Sequence, residues 1–191
     1  VLFGDDMVRA LNLAYEMGLT EKMQIVVPNL TLGMVRQVGP TIMEGVVGAA
    51  PWVWNLPYEN NYQRGKDFVE AFSDRYEMRP SSSAASAYSI VYQYKEAVER
   101  AGSTNTDAVI RALEGHRYSF LKDEQYWREF DHQNVQTVYV VRIKPRETVV
   151  ADQFSSDYFE IIDFLPGDEA AQTREEWEQR RKEAGKPARL L

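Results

Sequence analysis

Apolar positions recur along the chain with two periods, and the period switches from segment to segment. After Gly4, residues Met7, Val8, Leu11, Ala14 and Tyr15 repeat at helical spacing, with Asp5 or Asp6 placed to cap and Gly18 placed to end the helix. Met23 to Pro28 is a short β-branched run, which reads as a buried strand. A brief helix is expected from Thr31 to about Val38, stopped by Gly39-Pro40. Glu44 to Ala50 is a second apolar strand, continuous rather than alternating, as strands covered on both faces tend to be.

Helical periodicity then dominates. A helix is predicted from about Asn60 to Glu77, carrying Phe68, Phe72 and Tyr76, and ending at Arg79-Pro80. A longer one runs roughly from Ser83 to Ala101, with Ala87, Val91, Tyr94, Val98 and Ala101 on its apolar face. Thr104 or Thr106 caps a third, which carries Val109, Ile110 and Leu113 and closes at Gly115. Trp127 to Phe130, a turn at Asp131 to Asn134, and Thr137 to Ile143 read as a β-hairpin, with short strands at Thr148 to Asp152 and Tyr158 to Ile162. The tail from Asp168 to Ala184 is a polar helix with Glu176–Arg180 and Glu178–Lys182 at favourable spacing. No repeat or low-complexity segment stands out. Strands alternating with helices predict an α/β fold.

Composition narrows the function more than the fold. Of 191 residues, 44% are hydrophobic and 12% aromatic, enough for a substantial core. The net charge of −7 argues against nucleic acid or an anionic membrane surface as partner. Lys and Arg cluster only in the tail, where glutamates interleave them. The longest apolar stretch, Gly45 to Trp54, is interrupted by Pro51 and is too short to span a bilayer. With no cysteine, thiol nucleophiles, disulfides and Cys-based zinc sites are excluded. The opening Val1-Leu2-Phe3-Gly4 lacks a charged region ahead of an apolar stretch, so it reads as the tail of a strand in mid-fold rather than as a signal peptide.

Four stretches together carry a resemblance. They are Gly4-Asp5-Asp6 with Met17-Gly18-Leu19, then Met43-Glu44-Gly45-Val46-Val47, then Phe68-Val69-Glu70-Ala71-Phe72 with Arg75-Tyr76 and Arg79-Pro80. The fourth runs from Ala87-Tyr88 through Ala97 to Thr104 and on to Ala112-Leu113. In this order they resemble the second half of the type I periplasmic binding proteins, in the branched-chain amino-acid and amide-binding family. The likeness covers roughly the first 145 residues. It implies an α/β chain that is part of a two-lobe clamp, each lobe a Rossmann-like sheet with helices on both faces, closing about a hinge.

On that pattern residues 1–57 belong to the C-terminal lobe and 58–140 to the N-terminal lobe, with 141–191 a return segment and C-terminal helix. The pattern also expects roughly as many residues again before Val1. A chain without them would expose strand edges, so self-association is expected of it. The implied role is to bind a small polar or amphipathic solute, such as an amino acid or amide, and deliver it to an ABC transporter permease. The implied location is periplasmic or extracellular, with no cofactor. A ligand-sensing regulator or receptor ectodomain on the same fold is the alternative.

Candidate ligand-binding residues follow. Ligands of open α/β sheets sit at the carboxyl ends of strands, which points to Phe3 and Asn29. By resemblance Phe3 takes the place of an aromatic that covers the ligand, though packing into the lobe would explain it as well. Glu44 resembles a glutamate that pairs with a ligand ammonium; without the family it reads as a solvated loop residue. Trp52 and Trp54 stand near the presumed hinge, where either can wall a cleft or fill the core. Tyr88 reads as structural. His116 follows a helix end and His132 sits in a turn, so neither suggests a metal site. No nucleophile elbow, P-loop or dinucleotide fingerprint is present, and Asp5-Asp6 is better explained by capping than by acid–base chemistry. No enzyme is expected.

Overall fold

A computed structural model of the chain describes residues 3–188 and 190. The predicted strand end at Val1-Leu2 lies outside them. The first stretch contains α1 (Asp5–Glu16), β1 (Val26–Val27), α2 (Leu32–Val38), α3 (Pro40–Met43) and β2 (Val47–Ala50). Next come α4 (Leu56–Glu59), α5 (Gln63–Tyr76), α6 (Ser82–Ala101) and α7 (Thr106–Leu113). Short strands β3 (Arg117–Tyr118), β4 (Gln125–Trp127) and β5 (Asn134–Val135) precede β6 (Val138–Ile143), α8 (Arg146–Ala151) and β7 (Phe159–Leu165). The chain ends in α9 (Gly167–Ala170) and α10 (Arg174–Glu183).

The strands form two sheets, which establishes the α/β class. One has the order β1-β2-β6-β7 and the other β3-β4-β5. In the first, β1 and β2 are parallel, with Val26 opposite Val47, while β6 runs antiparallel to both β2 and β7. Gly48 is what lets β1 approach. A Cβ there would stand 2.3 Å from the Val27 carbonyl oxygen and 2.6 Å from Leu30 Cδ1, both part of a strand and its packed neighbour. Gly48→Ala is therefore expected to cost about 2 kcal/mol of unfolding free energy, as overpacking usually does, read from a shifted urea midpoint at unchanged slope.

Helices α1, α2, α3 and α8 accompany the first sheet through buried Met7, Val8, Leu11, Met34, Val35, Met43 and Val149. Asp5 and Asp6 lie within the first turn of α1, after Gly4 at the N-cap position, so they complement the helix dipole instead of capping. Asn105, not Thr104 or Thr106, caps α7 through its side-chain oxygen. Gly18, Gly102 and Gly115 take the left-handed conformation that ends a helix.

Several sequence expectations are corrected. The hairpin is instead two pairings, because β4 pairs with β5 while β6 leaves for the other sheet. Tyr139, Val141 and Ile143 alternate inward along β6, which pairs with β2 on one side and β7 on the other. The segment predicted as a strand at Thr148 to Asp152 is α8. The tail is two helices, broken before a Thr173–Glu176 capping box, with Trp177 buried against Phe130 and an Arg174–Glu178 pair in place of the two predicted. On α6 the inward residues are Ala85, Gln93 and Ala97, whereas Val91 and Tyr94 are 66% and 54% exposed. An apolar stripe identifies the helix but not which side its neighbours cover.

Candidate functional site

Because β1 and β2 are parallel, their carboxyl ends open at one edge of the sheet, and the segments leaving them lie side by side. The Leu30 N–H donates to the Ala49 carbonyl at 2.9 Å, tying these exits together. Asn29 is exposed just ahead of Thr31, whose hydroxyl caps α2 by accepting from the Met34 N–H. Trp52 follows the neighbouring exit.

The other two predicted residues lie elsewhere. Phe3 is exposed at the start of α1, where Asp5 accepts a hydrogen bond from Gln37 near the far end of α2. The seven residues of α2 put about 10 Å between that point and Thr31. Glu44 precedes β2 at the amino edge, where its Oε2 accepts from the Arg146 N–H at 3.1 Å. The four residues of β2 set it roughly 13 Å from Trp52. The fold thus brings Asn29 and Trp52 to one edge and leaves Phe3 and Glu44 apart from them.

Trp52 is buried, meeting Phe68 edge-on at 5.9 Å. It also walls a cleft of about 170 Å³ with Ser86, Ser89, Tyr118, Lys122 and Gln125. The cleft is rich in donors. The indole N–H groups of Trp52 and Trp127, both on its lining, are buried without a hydrogen-bond partner. Asn134 donates to the Tyr118 hydroxyl, which donates in turn to Gln125 Oε1. Burial pushes the Tyr118 phenol up to about 12, so it stays a neutral donor across the physiological range. Tyr88, itself exposed, sits beside this cleft in a ring cluster with Phe68, Tyr92 and Phe120.

Lys122 is the residue that sequence reasoning missed. It is 3% exposed, and its ammonium donates to the carbonyls of Pro51 and Thr137, each at 2.8 Å. Desolvation lowers it to about 8, with Asp123 opposing that fall. The available signal was a lone cation after the apolar pair Phe120-Leu121, although the same pattern marks many surface loops.

Two sheets are joined by chain passages, with a polar cleft beside one of them. The chain belongs to the periplasmic binding protein family, whose sequence pattern it matches over residues 1–148. Among solved structures it is similar to a periplasmic binding protein from Burkholderia mallei, at 26% identity and a TM-score of 0.78, over 92% of this chain and 44% of that one. It also shares its fold with an amino acid ABC transporter substrate-binding protein from Pseudomonas fluorescens (22% identity, TM-score 0.74, 86% and 43% covered). A third is a branched-chain amino acid ABC transporter periplasmic ligand-binding protein from Burkholderia xenovorans (22%, TM-score 0.75, 92% and 45%). The chain thus spans less than half the length of these structures. Curated proteins gave no match. The resemblance carried by the four sequence stretches is met, and with it the type I fold. Among the described residues no helix is long and apolar enough to cross a membrane.

Proposed function

We propose that this chain is part of a solute-binding protein that closes around a small polar or amphipathic solute and passes it to an ABC transporter permease. The role is binding, not catalysis, and the setting is the periplasm. The observation that carries this reading is the donor-lined cleft where Trp52, from the segment leaving β2, meets α6 and the β3–β5 sheet. Its unpaired indole N–H groups suit a solute end that accepts hydrogen bonds, such as a carboxylate or an amide carbonyl.

The lobe division belongs to the same proposal, with residues 1–57 on one side, 58–140 on the other and 141–191 returning. So does the ligand set, now centred on Asn29 and Trp52 at one edge of the sheet; Phe3, which lies apart from them, is left out of it. Glu44, bonded to the Arg146 backbone at the amino edge, is assigned to holding that edge. Solute stabilises the closed arrangement by bridging the two sides.

The test is a thermal-shift screen against amino acids, amides, urea, polyamines and aromatic carboxylates. A solute at about a hundred times its Kd adds roughly 2.7 kcal/mol of stability, and a clear rise in Tm is expected with an acceptor-bearing solute. The rise should persist in Glu44→Gln and shrink in Asn29→Ala. A flat response across the whole panel would sink the proposal. A rise lost in Glu44→Gln would restore the ammonium-pairing assignment.

A further inference from the structure

The described chain passes between the two sheets at residues 51–62, at 136–137 and at 166–167. Each passage joins a strand of the β1-β2-β6-β7 sheet to the part built from α5, α6, α7 and the β3-β4-β5 sheet. The last leads to α9 and α10, which lie on that second part through Arg128 bonded to the Gln172 carbonyl and Trp177 against Phe130. Any rocking of the two parts must turn about these segments.

Lys122 holds two of them. The Pro51 carbonyl begins the first passage and the Thr137 carbonyl ends the second, and one ammonium bonds both at 2.8 Å. The surroundings restrict where that ammonium can sit. Asp123 Oδ1 lies 4.0 Å from it and accepts the Tyr139 hydroxyl at 3.0 Å, while Thr137 Oγ1 donates to the other Asp123 oxygen. The Tyr139 ring centroid lies 5.1 Å from the ammonium. Gly167, at the third passage, packs so closely on the second that a Cβ would meet Gln136 backbone atoms at 2.8 Å.

We infer that Lys122 is the positioning residue of the hinge: its amine cross-links two passages and so sets how freely the two parts rock. The inference rests on the clamp reading above, but its test needs no solute. An ammonium with two carbonyl partners and no closer carboxylate than 4.0 Å is poorly compensated for its burial. The neutral amine retains two N–H donors, enough for both carbonyls. Rocking that hydrates Lys122 therefore takes up a proton, and raising the pH favours the cross-linked arrangement. The titratable groups facing the amine are Asp123, Tyr139 and, beside Asp123, Tyr62, with Tyr118 across the cleft. The tyrosines are all raised, so none of them loses its proton near pH 8, where Lys122 does.

The chain has no cysteine, so two introduced thiols give clean labelling. Exposed Lys22, between α1 and β1, and exposed Arg111, on α7, lie on the two parts. Single-molecule energy transfer between dyes at Lys22→Cys and Arg111→Cys is expected to give a distribution that narrows as pH rises through about 8. Lys122→Met should broaden it at every pH and remove the pH response. Asp123→Asn removes the charge that keeps Lys122 protonated, so the midpoint should move to lower pH. Distributions for Lys122→Met that overlay the parent at each pH would overturn the inference. If that variant does not fold, the parent and Asp123→Asn still decide it, since an absent pH response or an unmoved midpoint counts against Lys122. A flat thermal-shift screen beside a positive result here would refute the solute-binding reading alone.

Discussion

Asp152→Ala is expected to lower the unfolding free energy by about 3 kcal/mol, the scale seen when one partner of a buried ion pair is removed. Asp152 is 8% exposed, and its Oδ1 accepts from Arg79 Nη2 at 3.0 Å. Its Oδ2 accepts from the N–H groups of Phe154 and Ser156 at 3.2 and 3.1 Å. Truncation strips all of these at once and leaves the Arg79 charge between the rings of Trp54 and Phe154, 4.1 and 5.1 Å from their centroids. The Arg79 N–H also donates to the fully buried Ser156 hydroxyl, so the loop after α5 would lose its hold on the segment after α8. Asp152→Asn keeps the shape and some acceptors, and should lose about half as much.

The pH dependence has a definite sign. Burial by itself would push the Asp152 carboxyl up, but the Ser156 N–H and the Arg79 guanidinium hold it below the ordinary carboxylate value. Its contribution is therefore present above the unfolded-state value near pH 4 and fades as pH falls through the lowered native one. Urea melts from pH 7 down to pH 2 should show the parent losing its advantage over Asp152→Asn along that branch. An advantage that is constant with pH would show that the variant acts through packing instead of charge.

This network shows what the sequence made legible and what it did not. Helix stops were readable where glycine makes them, as at Gly18 and Gly115, whereas the caps expected at Asp5 or Asp6 and at Thr104 or Thr106 fall to Gly4 and Asn105. The parallel pair was readable only in part, since of the Met23 to Pro28 run only Val26–Val27 is strand and Met23 and Val26 are exposed, but the order of segments was enough for the family. Strand partners were not readable, because the alternation of β6 says that one face is buried without saying which strands lie beside it. Arg79 and Asp152 are 73 residues apart, and Lys122 is 71 from Pro51. Nothing local to either partner marks such a pairing.

The site followed the same rule. Asn29 was named from the general preference of ligands for strand carboxyl ends, and Trp52 from an aromatic beside the expected hinge; the fold places the two at one edge. Glu44 was drawn from likeness alone, and likeness did not say at which edge of the sheet it would stand. The side chains that line the cleft with Trp52 come from α6, from β3, β4 and the loop between them, and from β5 and the segment after it. Two serines on α6, a tyrosine on β3 and a glutamine on β4 carry no motif that could have gathered them.

Lys122 carries the second large effect. Its native value of about 8 lies below the ordinary 10.5, so between those two the unfolded chain binds more protons than the folded one. Stability must then rise with pH across that window, the reverse of what a lysine in a favourable ion pair produces. A tenfold difference in proton affinity between the two states corresponds to about 1.4 kcal/mol, and the gain between pH 7 and pH 10 comes to about 2 kcal/mol. The raised tyrosines act in the opposite direction above pH 10, where the unfolded chain loses phenolic protons first. Comparison with Lys122→Met cancels them, since both proteins carry the same tyrosines. Urea melts at pH 7, 8, 9 and 10 should show the parent gaining on the variant step by step. Parallel curves would mean that water reaches the amine in the native state. A parent that loses ground would mean that the two carbonyls and Asp123 over-compensate its burial, which would turn Lys122 from a strained cross-link into a stable one and reverse the pH response expected of the hinge.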